Sequence, residues 1–511
     1  MGKRVAIVGS GCSGIGALWA LNTSTDHEVH LFEASSRLGG HTNTVTFDGP
    51  NGDKVAVDTG FIVMNTATYP NFIHFLRELG LPPKKTDMTF GVSRDQGTFE
   101  WAGTSLSSIF AQRRNLFRLR MWRLIFDIVR FNEFALDLLQ EQTESENDPQ
   151  SVGSTSKVAG PSNESIGDYL DRERYSQEFR DDYLIPMTAA VWSTSPDKCS
   201  LEFPAITLVR FMYNHHLLST IAKRPDWLTI PGGSKQYIDA VLQGFPRDRI
   251  HLKSQVTSVI PSKSGPVSLT ANGRDYEFDH VILATHGHQA LEILKPVATR
   301  QEIEILSGFQ TSRNVAVLHS DPSLMPKRRV AWSAWNYITE SPFPPQKSKN
   351  ISKVCLTYWM NLLQHISEKK FGPVLVTLNP LNMPDPRLAQ GIWEYSHPLY
   401  NAAAIKSQQL LPNIQNTRNI SFCGAWTKYG FHEDGFSSGL SAAINHLDAE
   451  LPFEFVDSTF SRGRKPTLGV SNYLLRLVLL VLQILMLLGE KSWAIVVAGM
   501  DQRIAGRRKI A

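Results

Sequence analysis

The sequence predicts an α/β fold in two lobes, with a hydrophobic helix near the carboxyl terminus. The chain has 511 residues, whereas a single hydrophobic core stops growing at about 250 to 300 residues. Between Lys3 and Phe32, an apolar run, a glycine-rich turn, a helical pattern and a second apolar run follow one another, which is typical of a βαβ unit. Near the other end, Tyr473 to Leu488 is apolar at almost every position.

The composition favours a globular body, because 42% of the residues are hydrophobic and 20% are charged. From Arg462 onward the chain carries nine Lys/Arg and two Asp/Glu, a charge of +7, which leaves 43 basic and 46 acidic residues, a charge of −3, on residues 1 to 461. Nucleic-acid binding needs a clustered basic face, which a slightly acidic body does not offer. We therefore expect no nucleic-acid partner.

The four cysteines are scattered along the chain, without the close pairs that disulfide frameworks and zinc sites use. The pair His215-His216 also lacks the spacing of metal ligands, so the sequence predicts no metal site. The amino terminus has no long apolar run with a cleavage site of the secretory kind. We expect the body to face the cytosol. The cysteines are Cys12, Cys199, Cys355 and Cys423.

The first glycine-rich turn has the spacing G-x-G-x-x-G between a predicted strand and a predicted helix. Gly9 permits the tight turn, Gly11 lets the backbone approach a pyrophosphate, and Gly14 lets the helix pack closely on the strand. The helix would begin with unpaired N–H groups and the positive end of its dipole facing the phosphates. Glu33, at the end of the next strand, would accept hydrogen bonds from a ribose, so this segment predicts a Rossmann-like dinucleotide site.

NAD and FAD share this fingerprint, and the residues that follow favour FAD. Arg37, Gly39 and Gly40 form a second basic and glycine-rich loop that would lie against the phosphates of the cofactor. Cys12 and Ser13, inside the first turn, complete the predicted cofactor contacts of this region. We therefore expect FAD rather than NAD.

A distant carboxyl-terminal segment carries the matching second half of the site. Residues 421–426 and 435–443 supply glycines and then a helix. Together with the amino-terminal loops, this pattern resembles the flavin-containing amine oxidase and phytoene desaturase superfamily. The resemblance implies that an extended FAD crosses the Rossmann-like lobe in contact with Gly424 and Gly435, while the backbone of Val256 meets the adenine.

This sequence departs from the superfamily at one point. Many relatives have an acidic residue just after the glycine of the closing segment, where it holds the ribityl chain or the phosphate. Here the corresponding residues are Ala425 and Trp426. Our hypothesis is that Glu433 or Asp434 supplies the carboxylate instead.

A closer resemblance extends over nearly all of residues 3 to 445. It is to NAD/FAD-binding oxidoreductases of bacteria and fungi, which are similar to the amino-terminal flavin domain of plant cyclopropane-fatty-acid synthases. Since bacterial members tend to be encoded beside lipid methyltransferases, the resemblance implies a lipid-linked oxidation and a lipid methyltransferase as a candidate partner. The segments that carry it are 58–65, 69–72, 231–234, 284–286, 358–361, 424–427 and 430–435.

The candidate catalytic residues are His432 and Tyr358. Flavin oxidations need little acid or base help, because the isoalloxazine itself accepts the hydride. His432 lies beside the closing segment, and a histidine can exchange protons near neutral pH. Tyr358 is a weaker candidate, because an aromatic residue is more often part of a core than of a binding cage. The remaining candidates are His286, Trp359 and Lys428.

The sequence divides into lobes as follows. The FAD-binding lobe is discontinuous, and a mixed α+β substrate lobe is formed by the segments between its parts. We expect the FAD-binding lobe at 1–65, 225–300 and 410–450, the substrate lobe at 66–224 and 301–409, a mobile polar insertion at 141–164, and a membrane-associating tail at 466–511.

The carboxyl-terminal apolar run has two interpretations. It is about sixteen residues long, whereas a bilayer needs about twenty, so a helix buried against the body is one interpretation. Basic clusters on both sides favour the other, a membrane anchor. The arginine-rich run 113–123 also has two interpretations. It fits either contact with anionic lipid or a solvated helix face.

These observations predict an FAD-dependent oxidoreductase, associated with a membrane, that oxidises or desaturates a lipid or acyl chain. The alternatives are an amine or polyamine oxidase, which would have the same fold, and a non-catalytic flavoprotein partner of a lipid methyltransferase. Fold alone cannot choose among them.

Overall fold

The computed structural model describes residues 2–140, 164–192, 201, 203–218, 224–262, 265–340, 355–463 and 465–488. The predicted insertion at 141–164 lies outside the described residues except for Glu164, as do Cys199 and the chain after Leu488.

Sixteen α-helices are present among the described residues. In chain order they are α1 Cys12–Ser24, α2 Pro70–Glu78, α3 Leu106–Ile109, α4 Leu119–Phe134, α5 Ile166–Arg172, α6 Gln177–Phe179, α7 Ile185–Trp192, α8 Ala205–Asn214, α9 Lys235–Leu242, α10 Gly287–Leu294, α11 Arg300–Leu306, α12 Met360–Leu363, α13 Glu368–Phe371, α14 Ala402–Leu410, α15 His432–Leu447 and α16 Val470–Leu488.

The strands of the described chain belong to two large sheets and three small ones. In chain order they are β1 Arg4–Val8, β2 Glu28–Phe32, β3 Thr44–Asp48, β4 Lys54–Asp58, β5 Met64–Asn65, β6 Lys84–Thr86, β7 Phe90–Arg94, β8 Phe99–Ala102, β9 Trp227–Thr229, β10 Ile250–His251, β11 Val256–Ile260, β12 Val267–Ala271, β13 Arg274–Phe278, β14 His280–Leu283, β15 Thr311–His319, β16 Trp335–Thr339, β17 Cys355–Trp359, β18 Leu375–Leu378, β19 Ala389–Pro398 and β20 Ile420–Phe422.

The first large sheet is parallel and has the order β10-β2-β1-β14-β20. Its strands are short and almost fully buried, as expected for a parallel sheet that is covered on both faces. The predicted βαβ opening is confirmed, and its helix starts at Cys12. Because β1 is central, the turn after it lies at the carboxyl edge of the sheet, where parallel α/β folds bind ligands.

The second large sheet is mixed and has the order β19-β15-β18-β17-β16-β7-β8. Strands β7 and β8 come from an early part of the chain, and β7 joins the sheet by pairing in parallel with β16. The largest hydrophobic cluster combines side chains from this sheet and from the helices between residues 119 and 214. The mixed α/β architecture predicted from the sequence is therefore confirmed.

Two helical predictions need correction or refinement. The arginine-rich run forms a 3-10 turn at Arg113–Phe117 and a separate helix from Leu119, because its first part is anchored by buried Gln112 and Asn115 side chains. The tail forms α16, which is 19 residues long and apolar enough to cross a membrane. Leu479 is its only described residue that is buried, so the interpretation of a helix buried against the body is wrong for this segment.

Candidate functional site

A cavity of about 740 Å³ runs from the carboxyl edge of the parallel sheet to the second large sheet. Its first end is bounded by the β1–α1 turn, the end of β2, the start of β11 and the β14–α10 turn. Its other end is bounded by side chains of β16, β17 and α8. We call these two parts the glycine end and the aromatic end.

The glycines of the first turn have the roles that their spacing predicts. Gly9 has φ +105°, and a Cβ atom there would lie 2.6 Å from the carbonyl oxygen of Ala284. A Cβ on Gly14 would lie 1.9 Å from the carbonyl oxygen of Gly9, so Gly14 lets α1 pack on the turn. A Cβ on Gly11 would meet nothing within 4 Å, and Gly11 lines the cavity. The space beside Gly11 is therefore open to a bound molecule.

The amino terminus of α1 is free to bind an anion. No side chain caps it, and its first turn contains no acidic residue. Cys12 and Ser13 line the cavity at this point. An uncapped helix start that faces a cavity presents N–H groups and a positive dipole end, which is the environment that a phosphate requires. The predicted FAD fits the residues that are present here.

Glu33 lines the cavity at the end of β2 and helps to hold the turn. Its carboxylate accepts hydrogen bonds from the backbone N–H of Ser10 at 3.0 Å and from the backbone N–H of Ser35 at 2.9 Å. Val256 lies nearby and also lines the cavity. The structure thus brings together the residues that were predicted to meet the ribose and the adenine.

The second glycine loop packs directly on the first. The N–H of Gly39 donates to the carbonyl oxygen of Ser10 at 3.0 Å, and a Cβ on Gly40 would lie 3.2 Å from the Cα of Gly11. Arg37 is different, because its guanidinium donates to the carbonyl oxygen of Gly40 at 2.7 Å and does not line the cavity. In this structure Arg37 holds the loop in place, and its contact with a phosphate stays a prediction.

The closing segment reaches the cavity through Gly424, and Gly435 lies behind it. A Cβ on Gly435 would lie 2.5 Å from the Sγ of Cys12. A Cβ on Gly439 would lie 2.0 Å from the carbonyl oxygen of Ser13. These glycines therefore allow α15 to pack against α1, which brings the two ends of the chain together at the site.

The structure does not support the hypothesis that Glu433 or Asp434 faces the cofactor. Glu433 accepts hydrogen bonds from the backbone N–H groups of Asn71 and Phe72, both at 3.0 Å, at the start of α2. Asp434 accepts from the backbone N–H of Phe431 at 2.9 Å. Both carboxyls are buried and do not line the cavity. They cap helices, and burial raises the pKa of Glu433 to about 7 and of Asp434 to about 6.

His432 lies at the start of α15 and lines the cavity. Its ring stacks on Phe61 with 3.7 Å between the centroids, and its Nε2 shares a 3.0 Å hydrogen bond with the hydroxyl of Tyr237. Burial lowers the pKa of His432 to about 3. The reason for choosing this residue, proton exchange near neutral pH, does not apply in this environment, so its catalytic role stays a prediction.

Four further histidines line the same cavity, which the sequence analysis did not foresee as a group. Burial lowers the pKa of each of them, to about 3 for His41 and His286 and to about 4 for His215 and His397. All five imidazoles are therefore uncharged at neutral pH. Among the described residues, no group of three or more potential ligands could hold a metal ion.

The aromatic end is built from side chains that lie far apart in the sequence. Trp335 and Tyr358 are paired across β16 and β17, with their rings perpendicular and 5.3 Å apart. Met88 and Phe211 come from earlier segments and line the same space. Tyr358 was predicted, whereas Trp335 and Met88 were missed, because no spacing pattern marks them in the sequence.

Two remaining candidates lie away from the cavity. Trp359 and Trp332 enclose the guanidinium of Arg329, at 4.6 and 3.7 Å from the ring centroids. Lys428 pairs with Asp457 at 2.6 Å. Neither candidate lines the cavity, so their described contacts are structural.

Comparison with known proteins gives matches of two kinds. A family model described as flavin containing amine oxidoreductase matches residues 13–445. The 15-cis-phytoene desaturases of Capsicum annuum and Arabidopsis thaliana are 25% identical over 286 residues, which cover 54% of this chain and 42% and 43% of theirs. The matched region thus spans less than half the length of these curated relatives.

Solved structures show the fold. A fatty acid isomerase from P. acnes that produces CLA has a TM-score of 0.57 and 13% identity, and the match covers 87% of this chain and 99% of that one. Cyclohexylamine oxidase from Brevibacterium oxydans has a TM-score of 0.59 and 15% identity, with coverage of 88% and 99%.

Proposed function

We propose that this chain oxidises or desaturates a lipid or acyl chain. It belongs to the flavin-containing amine oxidoreductase family, because that family's model matches residues 13–445. Membership of the family implies an FAD cofactor and makes the chain an oxidoreductase. The identity of the substrate class is our proposal. The observation that carries it is the chemistry of the aromatic end of the cavity.

Charged groups are distributed unevenly along the cavity. Among the described lining residues, the only acidic ones are Glu33 and Glu292, and neither Lys nor Arg is present. Glu33 directly follows β2 and Glu292 lies on α10, so both belong to the glycine end. Within the described part of the chain, the aromatic end therefore has no carboxylate to pair with an ammonium group.

This distribution favours a neutral, apolar substrate. A charged amine would lose its hydration in the aromatic end and gain no described ion-pair partner there, which is costly. An acyl chain would bury apolar area against the rings of Trp335 and Tyr358 and the side chain of Met88, at about 25 cal/mol per Å². The names of the phytoene desaturases and the fatty acid isomerase support the same class.

The protein's own residues position the reactants and keep water out. When bound, FAD supplies the acceptor for a hydride from the substrate. The backbone of the glycine end would hold the phosphates, and Glu33 would hold the ribose. His432 would lie beside the cofactor as an uncharged ring, and Tyr358 would contact the substrate. Uncharged imidazoles preserve the low polarity that an acyl chain requires.

We further propose that α16 anchors the protein to a membrane, with the body on the cytosolic side. Its exposed side chains are almost all apolar, and an anchor would let a lipid substrate enter from the bilayer. A lipid methyltransferase is the proposed partner. Full-length protein should stay with membranes through a high-salt wash, which removes weak electrostatic contacts, whereas this wash should release Leu477→Asp with Val481→Asp. Retention of this variant in the membrane fraction after the wash would contradict the anchor.

Anaerobic bleaching tests the function. Purified protein should be yellow, and its flavin absorbance should fall when lipid extracts are added without oxygen. Bleaching by small amines alone would identify an amine oxidase. A flavoprotein that no lipid or amine bleaches, and that co-purifies with a lipid methyltransferase, would instead be a non-catalytic partner. Protein purified without any flavin would overturn the whole account.

A further inference from the structure

An exposed apolar edge lies at the amino-terminal end of α4. It consists of Leu116, Phe117, Leu119 and Trp122, whose exposed fractions are 41%, 90%, 87% and 50%. Single exposed apolar residues need no explanation, whereas four within seven positions form a patch of the kind that marks an interaction surface. We call it the Phe117 edge.

The Phe117 edge is held rigidly from inside. The buried side-chain amide of Gln112 donates to the carbonyl oxygens of Gly97 and Thr98, each at 2.8 Å. The indole N–H of Trp122 donates to the carbonyl oxygen of Leu116 at 2.8 Å, which ties the turn to the helix. The fold therefore presents these apolar side chains outward in a fixed arrangement.

Basic residues flank the edge. Arg113 and Arg118 are exposed and form no ion pair among the described residues. Exposed aromatic and aliphatic side chains beside unpaired arginines match the interface of a bilayer, where rings lie at the headgroup level and each basic residue gains from anionic lipid.

The edge also lies on the helix that the proposed anchor contacts. Leu119, Trp122, Phe126 and Val129 follow one another at helical spacing along one face of α4, and none of them belongs to the buried core. This face extends along α4, whose carboxyl-terminal end lies about 24 Å from its amino-terminal end.

Helix α16 makes side-chain contacts at the carboxyl-terminal end of α4 and just beyond it. The side chain of Asn472 donates to a carboxylate oxygen of Glu133 at 3.0 Å, and Arg476 pairs with Asp137 at 2.8 Å. The Phe117 edge and the tail are thus connected through a single helix.

We propose that the Phe117 edge, with Arg113 and Arg118, is a second membrane contact that inserts into the headgroup region of an anionic bilayer. This second contact extends the proposed membrane placement. The choice of a bilayer as the binding partner of the edge depends on that placement. With α16 it gives the body two points of attachment, so that the body is held in one orientation on the membrane.

The test uses the full-length holoprotein with Leu477→Asp and Val481→Asp, which removes the contribution of the tail. Flotation with vesicles of phosphatidylcholine and phosphatidylserine should show binding that weakens as salt rises, and vesicles of phosphatidylcholine alone should bind less. Adding Phe117→Asp and Leu119→Asp should weaken binding by at least about tenfold. Arg113→Gln with Arg118→Gln should reduce binding to the anionic vesicles only.

The matched control is Met383→Asp with Ile392→Asp, two residues that are 58% and 55% exposed elsewhere on the surface. This control should bind as the parent does, and every variant should keep its flavin absorbance. Vesicle binding that survives the changes at Phe117 and Leu119 would overturn the proposal. The proposal would also be wrong if the parent does not bind vesicles but forms a dimer that these changes dissociate. Failure of the proposed function would appear separately, as unbleached flavin in a protein that still binds vesicles.

Discussion

The two ends of the cavity are built in different ways. The glycine end is made mainly of backbone, with Gly9, Gly11 and Gly14 at positions where a side chain would meet either neighbouring backbone or the cavity. The aromatic end is made of side chains from distant segments, such as Trp335 and Tyr358. A backbone site requires glycine at a fixed spacing and so leaves a motif, whereas a side-chain wall only requires residues of suitable size and polarity.

Among the substitutions considered, Gly14→Ala should be the most damaging. Gly14→Ala places a Cβ against the carbonyl oxygen of Gly9, which belongs to the backbone and cannot move cheaply. We expect a loss of about 3 kcal/mol in the free energy of unfolding, even without FAD. Urea denaturation of the flavin-free protein measures this.

Gly11→Ala is the matched substitution, because its Cβ would meet no protein atom within 4 Å. It should leave the unfolding free energy of the flavin-free protein nearly unchanged and should weaken FAD binding, measured by flavin fluorescence. Gly103→Ala, which is also in open space but outside the cavity, should change neither quantity. Equal effects of the changes at Gly14 and Gly11 on stability would contradict this distinction.

The second expected effect concerns the aromatic end. Met88→Glu places a carboxylate among apolar walls and should lower the rate of bleaching by lipid at least about tenfold, while flavin content stays unchanged. Met88→Leu keeps the volume and the polarity, and should behave as wild type within about threefold. If Met88→Glu weakened FAD binding but left the bleaching rate of the remaining bound flavin unchanged, the assignment of the two ends would be wrong.

The third expected effect is on the pH dependence of stability. Five lining histidines have their pKa lowered to about 3 or 4 by burial, so they are neutral when folded and take up protons on unfolding below their ordinary pKa of 6.5. Three buried carboxyls, Asp58, Glu433 and Asp434, have a raised pKa and act in the opposite direction. Since the histidines outnumber them, stability should fall as the pH is lowered from 7 to 4. Urea midpoints that rise over this range would contradict the burial of the histidines.

The smallest expected effect is at Tyr358. Its ring forms part of the wall against Trp335, and we expect contact with substrate to come from the ring rather than the hydroxyl. Tyr358→Phe should therefore change the bleaching rate by less than about threefold, whereas removal of an essential proton donor costs about a hundredfold or more. Stopped-flow measurement of flavin reduction at several pH values separates these outcomes.

The same contrast explains what could be predicted from the sequence. The β1–α1–β2 unit, the mixed α/β architecture and a long apolar helix in the tail were predictable, because hydrophobic periodicity and glycine spacing are local signals. The positions of Glu433 and Asp434 were not. The carboxyl of Glu433 accepts hydrogen bonds from backbone N–H groups that tertiary packing brings close. The carboxyl of Asp434 accepts one from a backbone N–H group at the start of its own helix. Nothing in the local sequence distinguishes a helix cap from a cofactor ligand.

The histidines illustrate the same limit. His432 was chosen for its ordinary pKa, but the pKa of a buried imidazole depends on the surrounding residues, which come from several segments. His41 and His397 lie within 5.2 Å of each other, ring centroid to ring centroid, although more than 350 positions separate them in the sequence. Only the fold reveals that five such rings line one cavity.

The aromatic end, in our proposal, accepts a neutral apolar chain. The most direct measurement is an anaerobic titration of the purified flavoprotein with two compounds of equal alkyl length, one ending in a methyl ester and the other in a primary amine. We expect the ester to perturb or bleach the flavin spectrum at lower concentration than the amine. A flavin that responds to the amine and not to the ester would contradict it.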